Sequence, residues 1–329
     1  MNARPNEKKR HHYNPVTYLK GFVDASGCVF AWRKDEAETP LHTVPEAIGF
    51  EKYYYSQPLP CGGRDNNSLE DFFSTIEAPW PQLMEKLATR TETSSDFLPL
   101  IEFLMLQRVR VPCMRDAIEL NLAEIVKTEV RVLDEAGLLP PKPEAHPDIL
   151  DNRDIPIDPH MSIHAMTDLV SGFARVVDAC VFEVLHNQTH IDFLTSDNPI
   201  AVFDPSVPEM QMQPYQLQMD LQSIELLFPL TSRLMLRGVA GLRFAPAVTH
   251  LRLTSEQEVK RLNRISAKFG YRMIFANSQK FAILAQKYAN LSPVPKFERW
   301  RDGNGYVTKR KWVWGQRRTK PRWSPQREE

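Results

Sequence analysis

The chain has 329 residues, 42% of them hydrophobic and 25% charged, a mixture that supplies a sizeable core and excludes a disordered or low-complexity chain. Lys plus Arg and Asp plus Glu each number 41, so the net charge of zero excludes a uniformly basic nucleic-acid coat and leaves room for a local basic patch. Cys28, Cys61, Cys113 and Cys180 lie far apart without a Cys-x-x-Cys pair, which excludes zinc-finger spacing and fits free thiols in a reducing compartment.

In chain order, residues 1–10 read as a charged, flexible lead without the apolar stretch of a secretory signal. The most apolar window, 97–106, is about half a membrane span and contains Glu102, so a cytoplasmic chain outside the membrane is expected. Residues 11–60 read as loops and short strands: a turn at Asp24-Ala25-Ser26-Gly27, a strand at Cys28-Val29-Phe30-Ala31-Trp32 and a second at Tyr53-Tyr54-Tyr55. A helix opens at Ser68, with Asp71 three residues on, and Leu69, Phe72, Phe73 and Ile76 recur at helical spacing. Pro79 and Pro81 predict a break into two helices. A third helix is expected over 97–111 and a fourth from Pro112 to Ala136, stopped by Gly137. Residues 138–159 hold six prolines and read as a connector.

The second half changes character. Residues 160–174 read as a helix, and 180–185 with 190–195 as a hairpin around His186-Asn187-Gln188-Thr189, continued by a strand over 199–203. Residues 205–220, rich in Met, Gln and Pro, are expected to be an exposed loop, followed by strands over 224–230 and 233–237. Ser255 with Glu258 opens a further helix, before a last strand over 271–276 and a last helix over 280–288. The expected class is α+β: a helical N-terminal portion followed by a mainly antiparallel sheet with flanking helices, in one globular domain over 11–295. After it comes a tail, 296–329, with eleven Lys or Arg against four acids and the tryptophans Trp300, Trp312, Trp314 and Trp323.

Four polar clusters interrupt this apolar frame. His11 and His12 are adjacent imidazoles in a segment that also carries Tyr13, Asn14, Tyr18, Leu19 and Phe22. Consecutive side chains diverge in a strand, so one histidine is a candidate ligand or base and the other a support; the alternative is a structural brace. Gln107 and Arg110 share one side of a helix with Phe103, either as an Arg fork offered to a carboxylate or phosphate or as an internal pair fastening two layers. Ser196-Asp197-Asn198-Pro199 ends a strand: Asp197 could bind a metal or orient a histidine, or the turn could satisfy its own backbone. Glu70 and Glu77, seven apart, could lend carboxylates to a site or lie on a solvated helix edge.

The motifs resemble a bacterial family catalogued as domain of unknown function 4238. They are His11-His12-Tyr13-Asn14-Pro15 with Tyr18-Leu19 and Phe22, then Gln107-Arg108-Val109-Arg110, then Thr195-Ser196-Asp197-Asn198-Pro199-Ile200. Asn14 stands where the family usually has Val, Pro79 and Pro81 are atypical, and the tail lies outside the resemblance. The resemblance implies where a site would be and no established reaction.

No Gly-rich phosphate loop, Gly-x-Ser-x-Gly elbow or His-Glu-x-x-His occurs, which disfavours P-loop hydrolysis, α/β-hydrolase chemistry and zincin proteolysis. Two functional expectations follow. In the first, a phosphodiesterase or nuclease gathers His11, His12, Gln107, Arg110, Asp197 and Asn198, with Mg²⁺ or Mn²⁺ on His12, Glu77 and Asp197. An Asp197→Asn variant would then lose activity and keep its fold. In the second, the same groups form a structural polar network in a binding module. In the first, nucleic acid meets the tail through Arg310, Lys311, Trp312, Trp314, Arg317, Arg318 and Trp323; in the second, the tail binds a partner or nucleic acid. The tail is expected to be dispensable for folding, the alternative being that Trp312, Trp314 and Trp323 pack back onto the domain and the cations are merely solvated.

Overall fold

The computed structural model describes residues 7–60, 62–142, 144, 154–242, 246–303 and 305–321. The chain begins with strand β1 (Arg10–His12) and a one-turn helix α1 (Val16–Leu19), then β2 (Val29–Arg33), β3 (Glu36–Thr43), β4 (Phe50–Lys52), β5 (Gln57–Pro58) and β6 (Arg64–Asp65). Four helices follow: α2 (Ser68–Glu77), α3 (Trp80–Thr89), α4 (Ser94–Val109) and α5 (Pro112–Glu135). The break between α2 and α3 falls at Pro79, as the prolines predict. Helix α4 starts earlier than its apolar run, because Thr93 and Asp96 form a capping box. Pro112 takes the first turn of α5, where its missing N–H costs nothing, and Gly137 closes the helix at φ +69°.

The remainder comprises α6 (Pro159–His164), α7 (Met166–Asp178), β7 (Cys180–Asn187), β8 (Thr195–Ser196), β9 (Ala201–Phe203), β10 (Glu225–Pro229), β11 (Leu234–Ala240), β12 (Val248–Leu253), α8 (Glu256–Phe269), β13 (Met273–Ala276), α9 (Ala282–Lys287), β14 (Ser292–Asp302) and β15 (Gly305–Gly315). A five-stranded sheet has the order β12-β7-β11-β10-β9, antiparallel except for the β12–β7 pair. An antiparallel four-stranded sheet has the order β3-β2-β13-β8. The chain is α+β, with its helices concentrated before the larger sheet.

The expected hairpin over 180–195 does not form. Asn187 turns the chain by accepting from Thr189 N (2.9 Å) and donating to Ile191 O (2.7 Å), and Phe193 N then reaches Ser232 O (2.8 Å). Strand β7 pairs with β11 and β12 instead, while Thr195 crosses to Phe275 in the other sheet. Tyr53-Tyr54-Tyr55 is a turn rather than a strand, with Tyr53 at φ +58°.

The central strands of the larger sheet are buried on both faces. Phe182, Val184, Leu226 and Phe228 pack with Trp80, Leu100, Phe103 and Phe173 of the helical layer. Leu185, Phe203, Leu227 and Met235 pack on Val259, Leu262 and Phe269 of α8. Every position of β10 is therefore buried. Beneath the smaller sheet, Trp32 and Ile274 meet Phe281 and Ala285. Lys34 joins the layers: its buried ammonium donates to the carbonyls of Ala267 (3.2 Å), Lys268 (3.3 Å), Gly270 (2.7 Å) and Leu291, capping the C-terminal end of α8. Burial pushes its pKa down to about 7, and Asp197 opposes that fall.

Candidate functional site

The three motifs meet at residues 11–14. Strand β1 pairs with β4, and the Tyr13 and Asn14 N–H groups both donate to Gly49 O (2.9 and 3.1 Å). Gly49 is at φ +72°, and a Cβ there would lie 3.2 Å from Asn14 Cβ, so the close approach requires glycine. From this corner Asn14 Nδ2 donates to Ser196 O (3.3 Å), and Tyr13 O accepts from Gln107 Nε2 (3.0 Å).

Each motif side chain has a definite place. Tyr55 N–H donates to His11 Nδ1 (2.8 Å), which puts the ring proton on Nε2, facing Lys8 O at 3.1 Å. His11 also stacks on Tyr55, and burial lowers its pKa, so it is a neutral brace with both nitrogens engaged. Gln107 Oε1 accepts from Arg110 Nε (3.1 Å) and Nη2 (3.0 Å), while Arg110 Nη1 donates to Glu77 Oε1 (2.6 Å). Arg110 is 1% exposed, so its fork is closed by Gln107 and Glu77 rather than open to a phosphate.

Asp197 is fully buried. Its Oδ1 accepts from the N–H groups of Tyr271 (2.8 Å), Arg272 (2.9 Å) and Met273 (3.1 Å), and its Oδ2 from Arg272 N–H (2.8 Å). Burial raises its pKa, and those backbone donors with the Arg272 charge work against the rise. The carboxylate fastens the entry of β13 and faces no open cleft. Asn198 Nδ2 donates to Tyr215 Oη (2.6 Å) and Phe269 O (2.7 Å).

Several atoms of the cluster remain unmatched: His12 Nε2, Asn14 Oδ1, Glu70 Oε1, Arg108 Nη1 and Asn198 Oδ1 are buried without a hydrogen-bond partner. Burial lowers the His12 pKa, with the Glu46 backbone and Glu77 opposing. Burial pushes Glu70 up to about 7, against the pull of Arg110 and with the help of Glu77. Among the described residues no group of three or more His, Cys, Asp or Glu is placed to hold a metal ion. The ligand set expected for Mg²⁺ or Mn²⁺ does not assemble, because Glu77 is paired with Arg110 and Asp197 is filled by backbone donors. Residues His12, Arg110 and Asp197 come together as segments, not as one open constellation.

The basic stretch after Pro295 is largely a two-stranded ribbon. β14 and β15 pair over eleven positions each, from Ser292↔Gly315 to Asp302↔Gly305. One face lies on α5: Arg299 pairs with Glu124 (2.7 Å), Thr308 Oγ1 is 3.4 Å from Thr128 Oγ1, and Tyr306 binds Glu135. At the base, Trp312 packs edge-on to Tyr215, and Trp314 packs on Phe269 and donates to Met212 O (2.6 Å). These two indoles belong to the fold, which corrects their expected role as base-stacking groups. The opposite face carries the cross-strand pairs Lys296↔Lys311, Glu298↔Lys309 and Trp300↔Val307, with Trp300 47% and Val307 37% exposed. Lys311 binds Glu298 there. Arg310 and Arg318 are exposed. Arg317 pairs with Asp35 (3.4 Å), and Lys320 reaches the buried carboxylates of Asp116 and Glu119, each at 2.6 Å. Trp323 lies outside the described residues.

A family model described as Protein of unknown function (DUF4238) matches residues 10–280. The chain belongs to this family. No curated protein and no solved structure matches it. All three motifs lie within the DUF4238 stretch, and the β14–β15 ribbon lies outside the matched residues.

Sequence reasoning counted Trp300, Lys296 and Lys309 in the tail without placing them on one face, although the alternation Lys296-Phe297-Glu298-Arg299-Trp300 is a two-sided strand signal. It missed Tyr215, which carries no motif and sits in a segment read as an exposed loop.

Proposed function

We propose that the chain is a nucleic-acid-binding module. The DUF4238 motifs serve as a structural polar network, and the outward face of the β14–β15 ribbon takes a single strand. The observation that carries this reading is the composition of that face: Lys296 directly opposite Lys311, Lys309 beside them, and an exposed Trp300. Like charges directly opposite on two strands destabilise a ribbon, and a phosphate backbone relieves them. An exposed indole among cations is a sequence-tolerant stacking platform for unpaired bases. A cytoplasmic location suits such a ligand, as do the free thiols of Cys28, Cys113 and Cys180. Among the described residues no helix is long and apolar enough to cross a membrane.

The test is fluorescence anisotropy with a labelled oligo(dT). The Trp300→Ala variant is expected to lose about 1–3 kcal/mol of binding, with its melting temperature unchanged because the ring faces solvent. Equal affinity of the variant and the parent overturns the reading.

A phosphodiester hydrolase is the second reading, and one observation favours it. Unmatched His12 Nε2 and unmatched Glu70, whose pKa lies near 7, flank the Arg110–Glu77 pair. Cleavage of the same oligonucleotide, with or without Mg²⁺ or Mn²⁺, abolished by Glu70→Gln would replace the first reading with this one.

A further inference from the structure

Between α4 and α7 lies a cavity of about 220 Å³. Leu169, Phe173, Val176, Val202 and Leu217 make its walls apolar. One wall carries a cation. The Arg108 guanidinium lies 3.9 Å from the Tyr215 ring centroid and 5.7 Å from that of Phe173. Arg108 Nη1 is buried without a hydrogen-bond partner, while the guanidinium also donates to the Tyr215 hydroxyl. Asp168 lies at the exposed edge of the same cavity.

Arg108 is half-buried, and its unmatched nitrogen is a donor that an anion in the cavity would satisfy. Arg108 stands inside the Gln107–Arg110 motif, and Tyr215 is bound by Asn198 of the other motif at 2.6 Å. Tyr215 is also at φ +56°, a conformation a non-glycine residue adopts at a cost and that recurs at ligand sites. Two family motifs thus position two sides of one cavity, although neither motif contributes its own catalytic-looking groups to it.

We propose that this cavity binds a small organic anion: an apolar body with one carboxylate, the carboxylate on Arg108. A cavity of roughly 150 Å³ holds benzene, so this one admits a ring with a short acidic arm, about ten non-hydrogen atoms. The inference stands apart from the ribbon's ligand, since it rests on the α4–α7 cavity alone. The occupant would also be felt at the ribbon, because the Tyr215 ring that lines the cavity carries Trp312 at 4.9 Å.

The probe is phenylacetate, titrated into the full chain by calorimetry, beside phenylacetamide, which has the same shape and no charge. Phenylacetate is expected to bind, with the amide and the Arg108→Met variant each weaker by about tenfold or more. Gly172 gives a second variant that keeps its fold: a Cβ there meets nothing within 4 Å, so Gly172→Leu fills the cavity from α7. That variant is expected to abolish binding while its melting temperature does not fall. No binding of phenylacetate up to about 10 mM, equal affinity for acid and amide, or undiminished binding to Gly172→Leu would each overturn the proposal.

Discussion

Asp197 shows how a motif residue can look catalytic and act on the backbone. In sequence it is an acid in a turn at a strand end, and a metal-ligand role makes Asp197→Asn harmless to the fold. In place, Oδ1 receives the N–H groups of Tyr271, Arg272 and Met273, and Oδ2 shares the Arg272 N–H, so in either orientation an amide sets its NH₂ against at least one backbone donor. The amide NH₂ must face a backbone donor. We expect Asp197→Asn to cost about 1–3 kcal/mol, read as a lower denaturant midpoint with an unchanged slope. An unshifted midpoint would mean that the backbone donors do not depend on the carboxylate. Arg110 follows the same logic: its position on the face of Phe103 was legible from spacing, while its partners, Gln107 on its own helix and Glu77 on α2, were not. Spacing fixes which face of an element a residue lies on, and the opposing element decides whether its charge is free.

The ribbon makes the same point for elements. Its cations were visible in sequence, and its strands were not recognised because one face meets α5 through ion pairs rather than an apolar seam. Only its base is apolar, where Trp312 and Val294 join Tyr271 and Met114. A chain truncated after Pro295 loses β15 and most of β14 and uncovers that base. Its melting temperature is expected to fall by about 5 °C or more, measured by circular dichroism. A melting temperature equal to that of the full chain would show the ribbon to be a dispensable arm. The helices were the legible elements, since the Pro79–Pro81 break, Pro112, Gly137 and the Ser255 cap are local signals. Strand existence was legible for β2, β7, β10, β11 and β13 and missed for β3, β12 and the ribbon, and strand partners were less legible still. Thr195 pairs with Phe275, eighty residues on, and the period-two pattern carries no information about a partner at that distance.

On the scale of the molecule, the net charge of zero is a sum over unlike parts. In the interior some charges are ion-paired, as in Arg110 with Glu77 and Asp116 with Arg272 and Lys320, while Lys34 and Asp197 are held by backbone groups. The outward ribbon face holds three lysines, of which Lys311 alone is paired there with Glu298. A polyanion bound on this face displaces its own counterions, so affinity depends on salt through the number of cations engaged. The direct measurement is the slope of log Kobs against log salt concentration for oligo(dT), in the full chain and in a Lys296→Gln, Lys309→Gln, Lys311→Gln variant. At about 0.7 per cation for a single strand, three lysines predict a slope shallower by about 2, with weaker binding at every salt concentration. An identical slope in the variant would place the polyanion elsewhere and contradict the assignment of this face.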